Sequence, residues 1–111
     1  MKRTLIIITC DFEALHSWSE CPFKDVFFLK ALHRHKFFVR LEKEVFKDRG
    51  IEFIMFQREV KKFISDRFNG KNLGSLSCEK IADIFLEEFG ADSVEVFEDN
   101  ENGSKVQVMG K

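Results

Sequence analysis

Three histidines, the chain's whole complement, are the residues whose spacing first suggests chemistry. His33 and His35 stand one residue apart near the start of a strand-like run, ALHRHKFFVRLEKEVF, and His16 ends another such run, DFEALH. Because side chains alternate between the two faces of a strand, His33 and His35 project from one face, roughly 7 Å apart at ~3.3 Å per residue. Two imidazoles at that separation can converge on one metal ion.

Antiparallel pairing of the two runs would bring the third imidazole to the same place. The end of the first strand would then lie against the start of the second, so that His16 joins His33 and His35 at one rim. Three neutral imidazole nitrogens with one open position form the arrangement of a catalytic zinc site, in which water or a substrate oxygen takes the open position. The spacing therefore predicts bound Zn²⁺, and the alternative is a strand histidine pair with no metal.

The elements that position these histidines follow from hydrophobic periodicity. Alternate residues share one face of a first strand up to His16, and alternate residues from His33 share one face of a second strand that ends near residue 47. Residues 19–31 between them are predicted as a loop. Residues 51–55 are predicted as a short extended piece, and the i, i+4, i+7, i+8 pattern predicts a helix over 56–68.

The rest of the chain predicts a second helix and a closing hairpin. Ser77 is a suitable N-cap for this helix and Gly90 a suitable end. A strand over 92–99, a turn over 100–103 and a strand over 104–110 follow. The order ββααββ predicts an α+β fold with an antiparallel sheet. No linker interrupts the 111 residues, so the expectation is a single domain, 1–111.

Composition narrows the classes of partner. A net charge of −1 and a pI near 6.3 argue against a general nucleic-acid binder. No run approaches the ~20 apolar residues of a membrane span. The three cysteines have no C-x-x-C spacing, which favours free thiols in a reducing compartment. We therefore expect a cytoplasmic protein with no nucleic-acid and no membrane partner.

Several motifs resemble one known family in order and spacing. FEALH is similar to the F-x-A-x-H strand of the 6-pyruvoyl-tetrahydropterin synthase and 6-carboxy-tetrahydropterin synthase family, and LHRH to its L-H-G-H. GIEFIMFQREVKKFI resembles its G-x-x-x-D-F-x-x-L-K segment, LSCEKIADIF stands where the family has P-T-x-E-N, and VEVFED resembles its V-x-V-x-E strand. The resemblance runs from about residue 4 to residue 108.

This resemblance implies a fold, a ligand and a set of site residues. It implies the tunnelling fold, in which two helices cover one face of the sheet and subunits join their sheets into oligomeric β-barrels, commonly hexamers with active sites between subunits. Zn²⁺ would be held by His16, His33 and His35. By the same resemblance, Glu98 would accept the paired N–H groups of a pterin edge, with Ser77 and Glu79 as further substrate-binding residues.

Three departures from the family concern proton transfer. The position of its catalytic cysteine, four residues before H-x-H, is Leu29 here, and its Asp-His pair falls on Asn69 and Gly70. The Asp of its D-F element is Met55. The remaining thiol candidates are Cys21, in the loop before the second strand, and Cys78, at a helix N-terminus whose dipole would lower the pKa of the thiol. An inert thiol is the alternative for both.

Two hypotheses about function follow. The first is a zinc-dependent carbon–oxygen lyase that acts on dihydroneopterin triphosphate or a related pterin. The second is a divergent relative that keeps the zinc and a pocket for a pterin- or purine-like ligand but does not carry out the reaction. A metal-free structural domain is the third possibility, and it predicts no stoichiometric zinc.

Overall fold

The computed structural model describes residues 1–110 and consists of one four-stranded sheet and two helices. In chain order the elements are β1 (Thr4–His16), a 3₁₀ segment (Lys24–Lys30), β2 (His33–Val45), α1 (Phe53–Arg67), α2 (Cys78–Phe89), β3 (Ser93–Glu98) and β4 (Asn102–Gln107). The strands lie side by side in the order β1-β2-β3-β4, and every neighbouring pair is antiparallel. The predicted α+β class and ββααββ order are confirmed.

β1 and β2 form a long hairpin that carries the histidines. Their register runs without interruption from Thr4 opposite Val45 to His16 opposite His33. On β1 the side chains of alternate residues are buried, as the period-two pattern predicts. The antiparallel pairing that the sequence analysis required is therefore present, and it places His16 directly across from the H-x-H pair.

The core lies between the inner face of the sheet and the two helices. Phe37 and Leu41 of β2, Val60 of α1, and Ile81 and Phe85 of α2 are among the largest fully buried side chains. Burying a side chain of this size contributes about 1.5–3 kcal/mol to folding. This packing fixes both helices against the sheet and so fixes the N-terminus of α2 near the histidine end of the hairpin.

The first helix begins earlier than the sequence analysis predicted. Residues 53–55, predicted as extended, form its first turn, and the Glu52 carboxylate accepts a hydrogen bond from the Met55 N–H as an N-cap. Phe53, Ile54 and Met55 are all more than half exposed. The prediction was wrong because this apolar run was read as a short extended piece, whereas its side chains form an exposed first helical turn.

The closing hairpin also turns earlier than predicted. Asp99 and Asn100 adopt left-handed φ values of 52° and 58°, and the Glu101 N–H donates to the Glu98 carbonyl. Asp and Asn tolerate this conformation better than other non-glycine residues. Gly103, predicted in the turn, lies in β4, where a Cβ atom would come within 2.0 Å of the Val96 carbonyl oxygen.

The connections contain one further difference from the predicted loops. Residues 24–30, predicted as part of an irregular loop, form the 3₁₀ segment. Ser77 and Gly90 cap α2 as predicted: the Ser77 hydroxyl accepts from the Lys80 N–H, and Gly90 is left-handed at φ 57°. Within residues 1–110, neither helix has the length and apolar character needed to cross a bilayer.

Candidate metal centre

The three histidines meet at one end of the β1–β2 hairpin. Their ring centroids are 4.6 Å apart for His16 and His33, 4.8 Å for His33 and His35, and 5.3 Å for His16 and His35. One ring nitrogen from each residue lies within 4.8 Å of the other two. The structure therefore brings together the imidazoles that strand periodicity selected, as a group that can hold a metal ion.

Each imidazole is oriented by a hydrogen bond at its Nδ1 atom. His16 Nδ1 lies 2.8 Å from the Leu76 carbonyl oxygen, and His33 Nδ1 lies 2.8 Å from the Ala31 carbonyl oxygen. A carbonyl oxygen only accepts hydrogen bonds, so in both residues the proton is on Nδ1. This tautomer leaves a lone pair on Nε2, as metal-binding histidines require.

His35 is oriented by a carboxylate instead of a carbonyl. Its Nδ1 lies 2.6 Å from Asp99 Oδ2. The other oxygen, Asp99 Oδ1, accepts the Lys36 N–H at 3.0 Å, and the Asp99 N–H donates to the Lys36 carbonyl at 2.7 Å. These contacts lower the pKa of Asp99, chiefly through the Lys36 N–H and then through His35. Carboxylate–histidine pairs of this kind commonly support metal ligands.

The Nε2 atoms of all three histidines are buried and have no hydrogen-bond partner. An unsatisfied buried polar atom costs about 1–3 kcal/mol, so three in one place are expensive for the fold. A cation that accepts three nitrogen lone pairs removes that cost. The donor set and its orientation therefore fit a metal ion better than a metal-free histidine cluster.

A cavity of about 510 Å³ adjoins the histidines. Its volume lies in the range of small-molecule sites. The residues that the resemblance marked as substrate-binding all line it, although they come from different elements: Ser77, Glu79 and Glu98. His16 and His33 of the metal centre line this cavity as well. The sequence analysis thus selected residues that share one cavity, and their roles there stay predictions.

The helix residues at the cavity already have partners in the protein. The Ser77 hydroxyl oxygen accepts from the Lys80 N–H at 3.2 Å, which leaves its own proton free to donate. Glu79 Oε1 accepts from the Ser104 hydroxyl at 2.7 Å, so this carboxylate is tied to β4. Both side chains are therefore held in place at the N-terminus of α2, where the helix dipole favours negative charge.

Glu98 is the carboxylate that faces the histidines. Its Oε2 lies 3.1 Å from His16 Nε2 and its Oε1 lies 3.7 Å from His35 Nε2. When His16 also carries a proton on Nε2, this contact is the main cause that lowers the pKa of Glu98, and it outweighs the opposing effect of burial. The same contact raises the pKa of His16. Glu98 is therefore ionised at neutral pH beside the metal centre.

Neither candidate cysteine supplies a thiolate to the cavity. Burial, followed by the negative charges of Glu98 and Glu79, raises the pKa of Cys78 to about 12. The expected lowering by the helix dipole is wrong, because desolvation and two carboxylates outweigh it. Cys21 is buried, its Sγ faces the carbonyl oxygens of Phe23 and Val26, and it is not among the residues that line the cavity.

The other positions where the family has proton-transfer groups are structural here. Leu29 lines the cavity with an apolar side chain. Asn69 and Gly70 follow α1 and hold it to β1: Asn69 Oδ1 accepts the Glu13 N–H, and the Gly70 N–H donates to the Glu13 carbonyl. Gly70 has a φ of 73°, which suits glycine at this helix end. These two residues link secondary-structure elements and carry no group that transfers protons.

Asp99 is the residue of this site that sequence reasoning missed. The available signal was its position next to Glu98 at the end of a predicted strand, combined with the preference of Asp for left-handed turn positions. Because the turn was predicted one residue late, Asp99 was assigned to the strand and its carboxylate was not considered.

Comparisons with known proteins show the fold alone. No family profile matches the chain, and no curated protein matches it. Among solved structures, the crystal structure of an uncharacterized protein, WS1659, from Wolinella succinogenes is similar, with a TM-score of 0.61 at 14% sequence identity. The alignment covers 96% of this chain and 99% of that one, so the likeness extends over the whole α+β unit.

Proposed function

We propose that this chain is a zinc-binding protein that resembles the tetrahydropterin synthases and takes a flat pterin- or purine-like heterocycle into its cavity. His16, His33 and His35 would hold the metal, because imidazole nitrogen suits zinc and one nitrogen of each ring lies within 4.8 Å of the other two. The observation that carries the proposal is the set of three buried Nε2 atoms without hydrogen-bond partners. When bound, Zn²⁺ would supply Lewis-acid polarisation of a ligand oxygen.

The chain's own residues would hold the heterocycle. Glu98 is ionised and can accept two parallel N–H groups from a ring edge of the 2-amino-pyrimidinone type. The Ser77 hydroxyl has a proton left to donate, and Glu79 is held by a hydrogen bond from Ser104 of β4. These groups provide recognition of a polar, planar ligand at the N-terminus of α2.

The first candidate activity is that of a carbon–oxygen lyase on dihydroneopterin triphosphate or a related pterin. The resemblance of the histidine, serine and glutamate positions supports it. In this reading a proton acceptor other than a cysteine of this chain has to serve the reaction, since Leu29 has no acid–base group and the pKa of Cys78 is about 12.

The second candidate is a zinc-containing binder that does not transform its ligand. Two observations favour it: an apolar Leu29 in the cavity wall, and Asn69 and Gly70 engaged in holding α1 to β1. Such a protein would sequester or sense the heterocycle. A site with recognition groups and without proton-transfer groups can bind a ligand but cannot supply general acid–base catalysis.

We further propose that the chain acts as a homo-oligomer in the cytoplasm. β1 and β4 are the edges of the sheet, and edge strands commonly pair with another chain or need protection. Edge-to-edge pairing of several copies would close a barrel, in a hexamer or another ring-based assembly. The three cysteines are free thiols, which suits a reducing compartment. Light scattering on the purified protein measures the number of chains.

Elemental analysis and a turnover assay test the proposal together. The purified protein is expected to contain one zinc per chain and to lose it in a His33→Ala variant, whereas Arg34→Ala, an exposed neighbour on β2, keeps it. Incubation of the zinc form with dihydroneopterin triphosphate then separates the two candidates. Release of triphosphate or of the side chain supports the lyase, and binding of a pterin without turnover supports the binder. Absence of stoichiometric zinc overturns both.

A further inference from the structure

The contact between Glu98 and the histidines does not have the geometry of a hydrogen bond. His16 Nε2 lies only 3.1 Å from Glu98 Oε2, yet it has no hydrogen-bond partner by distance and angle. The same holds for His35 Nε2, which is 3.7 Å from Glu98 Oε1. Each carboxylate oxygen of Glu98 thus lies beside one imidazole nitrogen, Oε2 beside His16 and Oε1 beside His35, without accepting a hydrogen bond from it.

These distances are those expected between ligands of a common metal ion. Metal–nitrogen and metal–oxygen bonds of ~2.0–2.1 Å in a tetrahedral site place neighbouring ligand atoms about 3.3 Å apart. The two distances from Glu98, 3.1 Å and 3.7 Å, lie on either side of that value. The three imidazole nitrogens, within 4.8 Å of one another, need to move inward by roughly 1 Å to reach the same separation.

The backbone holds Glu98 firmly in this position. Glu98 is the last residue of β3, where it pairs with Phe37 of β2 on one side and Asn102 of β4 on the other. The left-handed turn at Asp99 and Asn100 follows at once. The inner-face residues Val94 and Val96 precede Glu98 at two-residue intervals, so its side chain points to the same face as the histidines.

Charge balance agrees with a ligand role. Three neutral imidazoles leave the charge of a divalent cation uncompensated, and Glu98 is the carboxylate of the cavity that faces the Nε2 atoms. Glu79, which also lines the cavity, is occupied by Ser104. Asp99 binds the opposite side of His35 at Nδ1, so it supports the site from outside.

We propose that Glu98 is the fourth protein ligand of the metal when the cavity contains no heterocycle. This inference rests on the proposed zinc site and goes beyond it, because the resemblance gives Glu98 a role toward the organic ligand alone. A site with three histidines and one glutamate is closed, as structural zinc sites are. A heterocycle that takes the Glu98 carboxylate must compete with the metal for it, so heterocycle binding weakens zinc binding and zinc weakens heterocycle binding by the same factor.

Zinc affinity of a Glu98→Gln variant in the absence of any small molecule tests the proposal. Competition with a chelator is expected to show a loss of about 100-fold or more, since removing even an outer-shell partner of a ligand costs 10–100-fold. Glu95→Gln is the matched control, because it changes another carboxylate of β3 that pairs with Arg40 outside the cavity, and it is expected to bind zinc as the parent does. The visible spectrum of the Co²⁺-loaded protein is expected to change in Glu98→Gln and to stay unchanged in Glu95→Gln.

The possible outcomes separate this inference from the proposed function. If Glu98→Gln binds zinc with the parent's affinity and Co²⁺ spectrum, Glu98 is not a ligand, while the zinc site itself stands. If the parent protein binds no zinc, the proposed function itself is contradicted, and the ligand role of Glu98 with it. Should Glu98→Gln not fold, as judged by circular dichroism, Glu98→Asp decides: its shorter reach is expected to weaken zinc binding at least tenfold, and parent-like affinity would contradict the ligand role.

Discussion

Two aspartates at the two ends of β3 form the same contact with β2 but serve different purposes. Asp92, before β3, accepts the Glu44 N–H with one oxygen and the Arg3 guanidinium with the other. Asp99, after β3, accepts the Lys36 N–H with one oxygen and faces His35 with the other. Asp92 thus forms an ion pair with Arg3, whereas Asp99 contacts the histidine cluster. The two aspartates differ only in the partner of the second carboxylate oxygen. In Asp92 this oxygen makes a structural contact, and in Asp99 it orients a candidate metal ligand.

The cavities at the two ends of the hairpin show the same contrast. The larger one, about 900 Å³, lies at the Arg3 end, where the ion pairs of Arg3 with Glu44 and Asp92 are complete. The smaller one adjoins the three histidines, whose Nε2 atoms are the buried side-chain polar atoms left without a hydrogen-bond partner in residues 1–110. The candidate metal centre therefore lies at the end with unsatisfied polar atoms, which is not the end with the larger cavity.

The largest effect is expected when the side chain that each aspartate contacts is removed: His35 for Asp99 and Arg3 for Asp92. Zinc at about 1,000 times its dissociation constant should stabilise the parent by ~4 kcal/mol, because it binds the folded state alone. His35→Ala is expected to lose that stabilisation, and Arg3→Ala is expected to retain it. Thermal unfolding with and without zinc measures both. An Arg3→Ala variant that no longer responds to zinc would remove the distinction between the two ends.

The next test changes the aspartate at the histidine end. Asp99→Asn keeps an acceptor for the Lys36 N–H but removes the charge that supports His35, so zinc affinity should fall by about 10–100-fold. Chelator competition measures the loss. Unchanged zinc affinity would mean that Asp99, like Asp92, holds the strands together and does not support metal binding.

The matched change at the other end should affect the fold alone. Asp92→Asn removes a buried, charged acceptor of the Arg3 and Glu44 hydrogen bonds, and the expected loss is about 1–3 kcal/mol of unfolding free energy. Zinc affinity is expected to stay within twofold of the parent. Urea unfolding of the metal-free proteins gives the first quantity, and a zinc titration of the folded variant gives the second.

The smallest expected effect concerns the thiol beside the cavity. Because the pKa of Cys78 is raised to about 12, its thiolate forms only as the pH rises toward that value, and alkylation by iodoacetamide at pH 8 should be negligible in the folded, metal-free protein. Unfolding in urea should restore ordinary reactivity. Mass spectrometry of the labelled peptides checks this. Rapid labelling of Cys78 in the folded state would return it to the list of catalytic candidates.

The parts of the site that the sequence predicted are those set by local periodicity. Period-two spacing placed His33 and His35 on one face, and the antiparallel partner then required His16 beside them. Glu98 came from the family resemblance; it lines the cavity beside the histidines, and its role toward a ligand stays a prediction. These inferences needed only strand geometry and residue order, which one sequence contains.

The parts that the sequence did not predict depend on packing between distant elements. The pKa of Cys78 is set by burial and by Glu98, 20 positions along the chain, and a helix-dipole argument includes neither. To predict the role of Asp99, the position of the turn had to be known to within one residue. The start of α1 was predicted wrongly from hydrophobicity. The exposure of Phe53 follows from tertiary contacts, which local composition does not specify.

The unbroken register of β1 and β2 links metal binding to correct folding. Since Thr4 pairs with Val45 and His16 with His33 along two 13-residue strands, a slip of one position would turn His16 to the opposite face of the sheet. A hairpin slipped by one position would also turn the buried apolar side chains of β1 away from the core, and it would present at most two imidazoles to a cation. Zinc binding and apolar burial would then select the same native register, and zinc uptake would report that the strands had paired in it.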